Sequence, residues 1–372
     1  LNKKKVIFVI SGVDYALAFD WLDLYLDKSR FDVTFVFLNS FQPQIHNLLS
    51  SRNTATFFFK LTSKKDYVSV ITKLLRLFWT IKPDIVHAHL FDANILAITS
   101  AFLLRIKKRI YTRHHSTYHF DYHPHMVKYD RIINFMSTDI VAISENVQNV
   151  LVDREGVDSS KVKLINHGFE LEKFVKPNPD AVKNLKNKYN PNSKFPVIGV
   201  IARFTEWKGV HFIISSFHAI LESYPNALLI LANAKGDMKN EIDLLLSELP
   251  PESCIDIPFE NDLFSLYQLF DVYVHVPIDK YSEAFGQTYV EALAAGIPSV
   301  FTLSGIANEF ILDRENAMVV PYKSSIDITN AVKELLSNDS LREKVIYNGR
   351  LAVLTKFGIH KMIDSLTLLY ET

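Results

Sequence analysis

Short runs of β-branched and aromatic residues alternate with longer amphipathic stretches along most of the chain, and this alternation limits the fold more than any other feature. In the first half the runs are KKVIFVI (4–10), FDVTFVFL (31–38), DIVHAH (84–89), KRIYTRH (108–114), DIVAIS (139–144) and KVKLINHG (161–168). Each reads as a buried strand. Helical patterns lie between them, such as DYVSVITKLLRLFWTI (66–81) and SENVQNVLVDREG (144–156), the second with Ser144 as N-cap and Gly156 as its stop. Strand–helix–strand repetition predicts a parallel sheet covered by helices on both faces.

The pattern breaks at VKPNPDAVKNLKNKYNPNSKFP (175–196), whose four prolines, asparagines and lysines mark a linker with room for one short helix. Alternation then resumes with PVIGVIA (196–202), NALLILANA (226–234), DVYVHVP (271–277), IPSVFT (297–302) and NAMVVPY (316–322). A length of 372 residues exceeds one ordinary core. The expected fold is therefore α/β with two doubly wound, Rossmann-like domains, 1–175 and 196–355, facing a central cleft. Residues 176–195 link them, and a closing helix, 356–372, is expected to pack back on the first domain.

An apolar fraction of 48% with 22% charged residues describes a globular protein. Lys+Arg and Asp+Glu balance at 41 each, which leaves no overall field for nucleic acid. The balance hides a split: residues 1–175 hold 23 Lys+Arg against 17 Asp+Glu, and the remainder 18 against 24. A net of +6 beside −6 suggests that the first half faces an anionic partner, a charged substrate or a membrane surface. Cys254 is the single cysteine, so no intrachain disulfide forms and a reducing compartment is expected. The start LNKKKVIFVISG has too short an apolar run for a signal peptide, and NILAITSAFLLRI is short for a membrane span. These features predict a cytoplasmic location.

Two segments of the second half carry chemistry. In GVIARFTEWKGVHFIISSF (199–217), Arg203 stands at the carboxyl end of a strand and Lys208 beside the following helix, a pair able to grip a diphosphate; a solvated basic turn is the plainer alternative. In YSEAFGQTYVEALAAGIPSV (281–300), a helix beginning near Gly286-Gln287 offers free amides to phosphate, with Glu283 before it and Glu291 on the face of Gln287. Carboxylates repel phosphate but accept hydrogen bonds from hydroxyls. A diphosphate flanked by hydroxyl-rich rings, a nucleotide sugar, satisfies all of these groups.

With these residues in view, the chain resembles the glycosyltransferase family 4 group, whose enzymes have the GT-B fold. The resemblance is carried by ARFTEWKG, EAFGQTYVE, ALAAGIPSV and SGIANEFILDRENAMVVP in the second half. In the first half it is carried by Gly12, Thr112-Arg113-His114, AISENV and INHGFELEKF. It implies that Glu283 binds the donor sugar and Glu291 the ribose, and that Arg203 and Lys208 hold the diphosphate with backbone groups of Phe285, Gly286, Gln287 and Thr288. It further implies that Gly12 lets the first loop approach the phosphates, that His114 lies at the reacting sugar, and that His114 and Glu283 are the catalytic pair. Ala202 replaces the usual glycine before the arginine and His167 the usual asparagine, and the doubled histidine leaves His114 and His115 as alternatives.

RHHSTYHFDYHPH (113–125) holds five histidines, with His115, His119 and His123 at helical spacing. Acceptor or anion binding by His115 and His119 is one reading and packing another; a zinc site lacks a cysteine or acidic cluster, and no metal or cofactor is expected. His87 and His89 share a strand face and read as buried, hydrogen-bonded histidines. KKDYVSVITKLLRLFWTIK (64–82) reads as a core-facing helix, with attachment to an anionic membrane at its inner face as the alternative. The function expected is transfer of a hexose or hexosamine from a nucleoside diphosphate sugar to a glycan or lipid-linked acceptor, with retention implied by the resemblance alone. A sugar-nucleotide epimerase or hydrolase of the same fold, or a non-catalytic nucleotide-sugar binder, would need the same residues.

Overall fold

The computed structural model describes residues 3–372 and divides into two compact units. One comprises the chain up to Phe169 together with Ile359–Thr372; the other is Glu170–Gly358. The division therefore falls at 169/170 rather than 175/176. The linker segment holds one helix, Pro179–Tyr189, capped by Asn178, and Tyr189 donates to Glu260 at 2.7 Å within the second unit.

In the first unit the strands are β1 (Lys4–Ser11), β2 (Phe31–Asn39), β3 (Ala55–Lys60), β4 (Ile85–His89), β5 (Lys108–Arg113), β6 (Asp139–Ala142) and β7 (Val162–Leu164). They form one parallel sheet in the order β3-β2-β1-β4-β5-β6-β7. The second unit has β8 (Val197–Ile201), β9 (Leu228–Ala232), β10 (Cys254–Ile257), β11 (Val272–His275), β12 (Ser299–Phe301) and β13 (Met318–Val319), in the order β10-β9-β8-β11-β12-β13. Each sheet is doubly wound, with a switch point between β1 and β4 or between β8 and β11, where the carboxyl ends of strands diverge and leave a crevice. Two edge strands, β3 and β10, are absent from the periodicity. ATFFFK has three consecutive phenylalanines and is half-buried, and CIDI is only four residues long, so neither shows a clear strand period.

Burial of strands on both faces explains their apolar runs: Val6 to Ile10 of β1 are wholly inaccessible. Ser144 caps the helix that follows β6 by accepting from the Val147 amide at 3.2 Å, and Gly156 adopts φ +73° where that segment ends. The helix Tyr67–Ile81 buries Val70, Leu74 and Phe78, one stripe, and leaves Val68 and Trp79 exposed. Among the described residues no helix is long and apolar enough to cross a membrane.

The closing helix, Ile359–Glu371, belongs to the first unit and buries Met362, Ile363, Leu366, Leu369 and Tyr370. The Tyr370 hydroxyl lies 2.7 Å from His87 Nδ1, and His87 Nε2 lies 2.8 Å from Thr112 Oγ1, so a buried polar chain ties this helix to β4 and β5. Removing one partner of a buried hydrogen bond strands the other. Tyr370→Phe is expected to destabilise the first unit by about 1–3 kcal/mol, measured by urea unfolding; a wild-type midpoint would show that the bond contributes nothing.

Candidate active site

The candidate residues of the second unit gather at the carboxyl ends of β8 and β11. After β8 the chain is pinned by Ala202 and Phe204, whose amides donate to Ala232 and Lys235 carbonyls at 3.0 and 2.9 Å. Between these pins Arg203 remains exposed, its guanidinium 5.7 Å from the Trp207 ring. A short turn, Glu206–Lys208, ends at Gly209 with φ +68°, where an added Cβ would lie 2.3 Å from the Val276 carbonyl. Only glycine allows this approach, and it brings the Lys208 ammonium against the Glu283 carboxylate.

Glu283 is buried, and its amide donates to Ser304 Oγ at 3.0 Å. Its Oε1 is also 3.2 Å from His275 Nε2, at the end of β11. Burial alone would raise the Glu283 pKa, but the Lys208 charge and the His275 contact outweigh it and hold the carboxyl at about 2. Burial lowers the pKa of His275, which leaves it a neutral neighbour. His275 escaped the sequence reading; a lone histidine inside VYVHVP was the available signal.

Gly286, with φ +84°, starts the helix Gln287–Ala295, and a Cβ there would stand 2.6 Å from the Tyr289 ring. Gln287 is exposed and Thr288 half-buried in the first turn, where helix amides lack partners within the helix. Phe285 is buried, and its carbonyl accepts from the Ile306 amide at 2.9 Å. Glu291 is buried apart from this cluster, accepting from the Tyr267 hydroxyl at 2.9 Å. Without a cation beside it, burial pushes its carboxyl up to about 7. The two glutamates thus have opposite protonation tendencies.

In the first unit Gly12 follows β1 with φ +66°, but its amide is engaged by the Leu38 carbonyl and Asn39 Oδ1 at 3.1 and 2.8 Å. The doubled histidine separates. His114 Nε2 lies 3.1 Å from His89 Nδ1, and the His114 ring stacks on His167 at 5.6 Å. His115 and His119 lie 3.7 and 2.6 Å from Asp130. Asp130 also pairs with buried Arg113 at 2.9 Å, and Arg113 pairs with Glu155. His115, His119 and Asp130 offer ligand atoms within 4.8 Å of one another. Arg113 thus meets two carboxylates, Asp130 and Glu155, and Asp130 is shared between the guanidinium and the two histidines. Asp130 is the acid that the local pattern of histidines did not reveal.

Because the Glu291 pKa rises from 4.5 to about 7 on folding, protonation favours the folded state. That contribution is complete below about pH 4.5 and is lost as pH rises through about 7. Glu291→Gln should therefore melt above wild type at pH 8, by about 2–4 °C for each kcal/mol recovered, and together with it near pH 4.5. Scanning calorimetry at the two pH values checks this; an equal offset at both would rule out ionisation as the cause.

Residues 181–352 match the family model described as glycosyl transferases group 1, and residues 24–173 match that of glycosyltransferase family 4. A capsular polysaccharide biosynthesis glycosyltransferase of Staphylococcus aureus, CapM, is 27% identical over 94% of this chain and 92% of its own. Among solved structures, HepE of Anabaena in complex with UDP and glucose superposes with a TM-score of 0.84 at 17% identity, covering 99% of each chain. A glycosyltransferase from Rickettsia africae gives a TM-score of 0.81 at 19% identity, covering 100% of this chain and 98% of that one. These likenesses establish the GT-B fold of two Rossmann-like units. Two family models that meet the chain on both sides of its division, and both describe glycosyl transfer, make it a member of the group 1, family 4 glycosyltransferases.

Proposed function

We propose that the protein transfers a hexose or hexosamine from a nucleoside diphosphate sugar to a glycan or lipid-linked acceptor, with retention of configuration. The observation that carries this reading is the Lys208–Glu283 pair at the end of the second sheet, adjoining the Arg203 loop. Such a pair serves a ligand that places phosphate next to sugar hydroxyls. Lys208, Arg203 and the first turn of Gln287–Ala295 supply positive charge where a diphosphate departs. Glu283, ionised, accepts from sugar hydroxyls, and Glu291 receives the ribose. His114 acts at the reacting sugar. HepE, in complex with UDP and glucose, supports a uridine diphosphate sugar as donor, and the name of CapM supports a polysaccharide product.

Titration calorimetry with UDP tests the cationic grip. Arg203→Ala and Lys208→Ala should each weaken binding by roughly 1.5–3 kcal/mol, about ten- to a hundredfold. Release of UDP from UDP-sugars with a crude acceptor extract tests transfer, and Glu283→Gln should abolish that release. Unchanged UDP affinity in both cation variants would remove the proposed diphosphate site.

The acceptor reading extends to peripheral contact with an anionic membrane through the first unit. Lys4, Lys82, Arg105, Lys107 and Lys108 line a crevice of about 620 Å³ at the amino ends of β1, β4 and β5, opposite the strand ends that carry Gly12 and His114. Among the described residues of that lining Asp84 is the one acidic side chain, and Trp79, also in the lining, is 73% exposed. Cations beside an exposed tryptophan suit a headgroup layer. Neutralising Lys82, Arg105 and Lys107 should reduce co-sedimentation with anionic vesicles more than neutralising Lys64, Lys65, Lys73 and Arg76. Raised salt should abolish binding; equal binding to neutral vesicles, or none at low salt, would end the membrane reading.

A further inference from the structure

His89 ends β4 and is buried among rings: His87 at 4.4 Å, Phe8 at 6.0 Å and Phe19 edge-on at 5.2 Å. Parallel register sets His89 beside Thr112 on β5, two residues before His114. One nitrogen of His89, Nδ1, therefore meets His114 Nε2 at 3.1 Å, and the other, Nε2, is buried with no hydrogen-bond partner among the described residues. Burial, reinforced by the neighbouring histidines, keeps the pKa of both rings far below the ordinary value, so both are neutral near pH 7.

A contact between two neutral imidazoles holds one proton, and its placement is a choice between two tautomer pairs. If His114 Nε2 donated, His89 would have to carry its own proton on Nε2, an N–H stranded without an acceptor. If His89 Nδ1 donates, the stranded atom is a bare lone pair. Orphaned buried N–H groups are rarer than under-used acceptors, so the second pair is preferred. His114 then accepts at Nε2 and carries its proton on Nδ1.

We infer that His89 is a positioning residue that fixes the ring and the tautomer of His114, so that His114 presents an Nδ1–H donor rather than a basic lone pair. The inference rests on the reading of His114 at the reacting sugar. It narrows that reading: His114 donates a hydrogen bond to an oxygen of the donor substrate, a sugar hydroxyl or a phosphate oxygen, and takes no proton from the acceptor.

Long-range ¹H–¹⁵N spectra of the full chain labelled in histidine, with His114 assigned by its loss in His114→Gln, read the tautomer directly. A pyrrole-type Nδ1 and pyridine-type Nε2 for His114 are expected. The reverse pattern would overturn the inference. His89→Phe keeps the ring packing but removes the donor, and should lower kcat about ten- to a hundredfold with KM for the donor held. In that variant His114 should lose its single tautomer. His89→Asn, which restores an N–H near the Nδ1 position, should recover both the turnover and the spectrum, and a melting curve verifies that each variant is folded. Wild-type kcat in folded His89→Phe, with transfer lost in His114→Ala, would overturn the positioning role alone. Full transfer by His114→Ala would instead overturn the place of His114 at the reacting sugar, and the catalytic consequence with it.

Discussion

A carboxylate buried at the end of a parallel sheet stays ionised only where a cation meets it, and in the second unit that cation is Lys208. The contact depends on a glycine turn that lets the loop after β8 pass within van der Waals reach of the strand end of β11. Breaking a buried pair by removing one partner typically costs about 3–5 kcal/mol, so the loop is tied to the carboxylate it meets. Arg203, held outward between two backbone pins, and the helix that starts at Gly286 are placed by the same loop and strand ends.

Glu291 shows what happens without the cation. It is buried to a similar degree as Glu283, yet its neighbour is a tyrosine hydroxyl, and its carboxyl rises where that of Glu283 falls. Two acids eight residues apart are thereby suited to different tasks: one permanently charged, one able to hold or lose a proton near neutrality. The first unit uses burial differently. His87, His89, His114 and His167 all titrate below their ordinary range, which makes them a set of neutral donors and acceptors whose roles are decided by hydrogen-bond geometry. An ion-paired neighbourhood lies next door, where Arg113 meets both Asp130 and Glu155.

Much of this was legible in the residues. A strand period broken by turns and resumed after residues 175–196 predicts two parallel sheets, because side-chain period and connection length are local properties. Arg203, Lys208, Glu283 and Glu291 stand out because their residue types and positions at strand and helix ends are also local. The strands β3 and β10 are not legible, since the three consecutive phenylalanines of ATFFFK hide its period and the four residues of CIDI are too few to show one. The short helix allowed for in the linker starts at Asn178-Pro179, a local helix-start signal, but its docking through Tyr189 on Glu260 is not written in the neighbouring residues.

The sequence by itself determined the architecture, the motif residues and the strand ends on which they stand. Tertiary structure alone decided which of them touch. Lys208 and Glu283 are 75 residues apart, and His87 and Tyr370 are 283 apart. The same packing turned His114 toward His89 and its neighbour His115 toward Asp130, and it tied the Gly12 amide to β2 and Asn39. The physical reason is that periodicity is written in neighbours along the chain. Desolvation and partner distance, which set charge and tautomer, are written in neighbours across the fold.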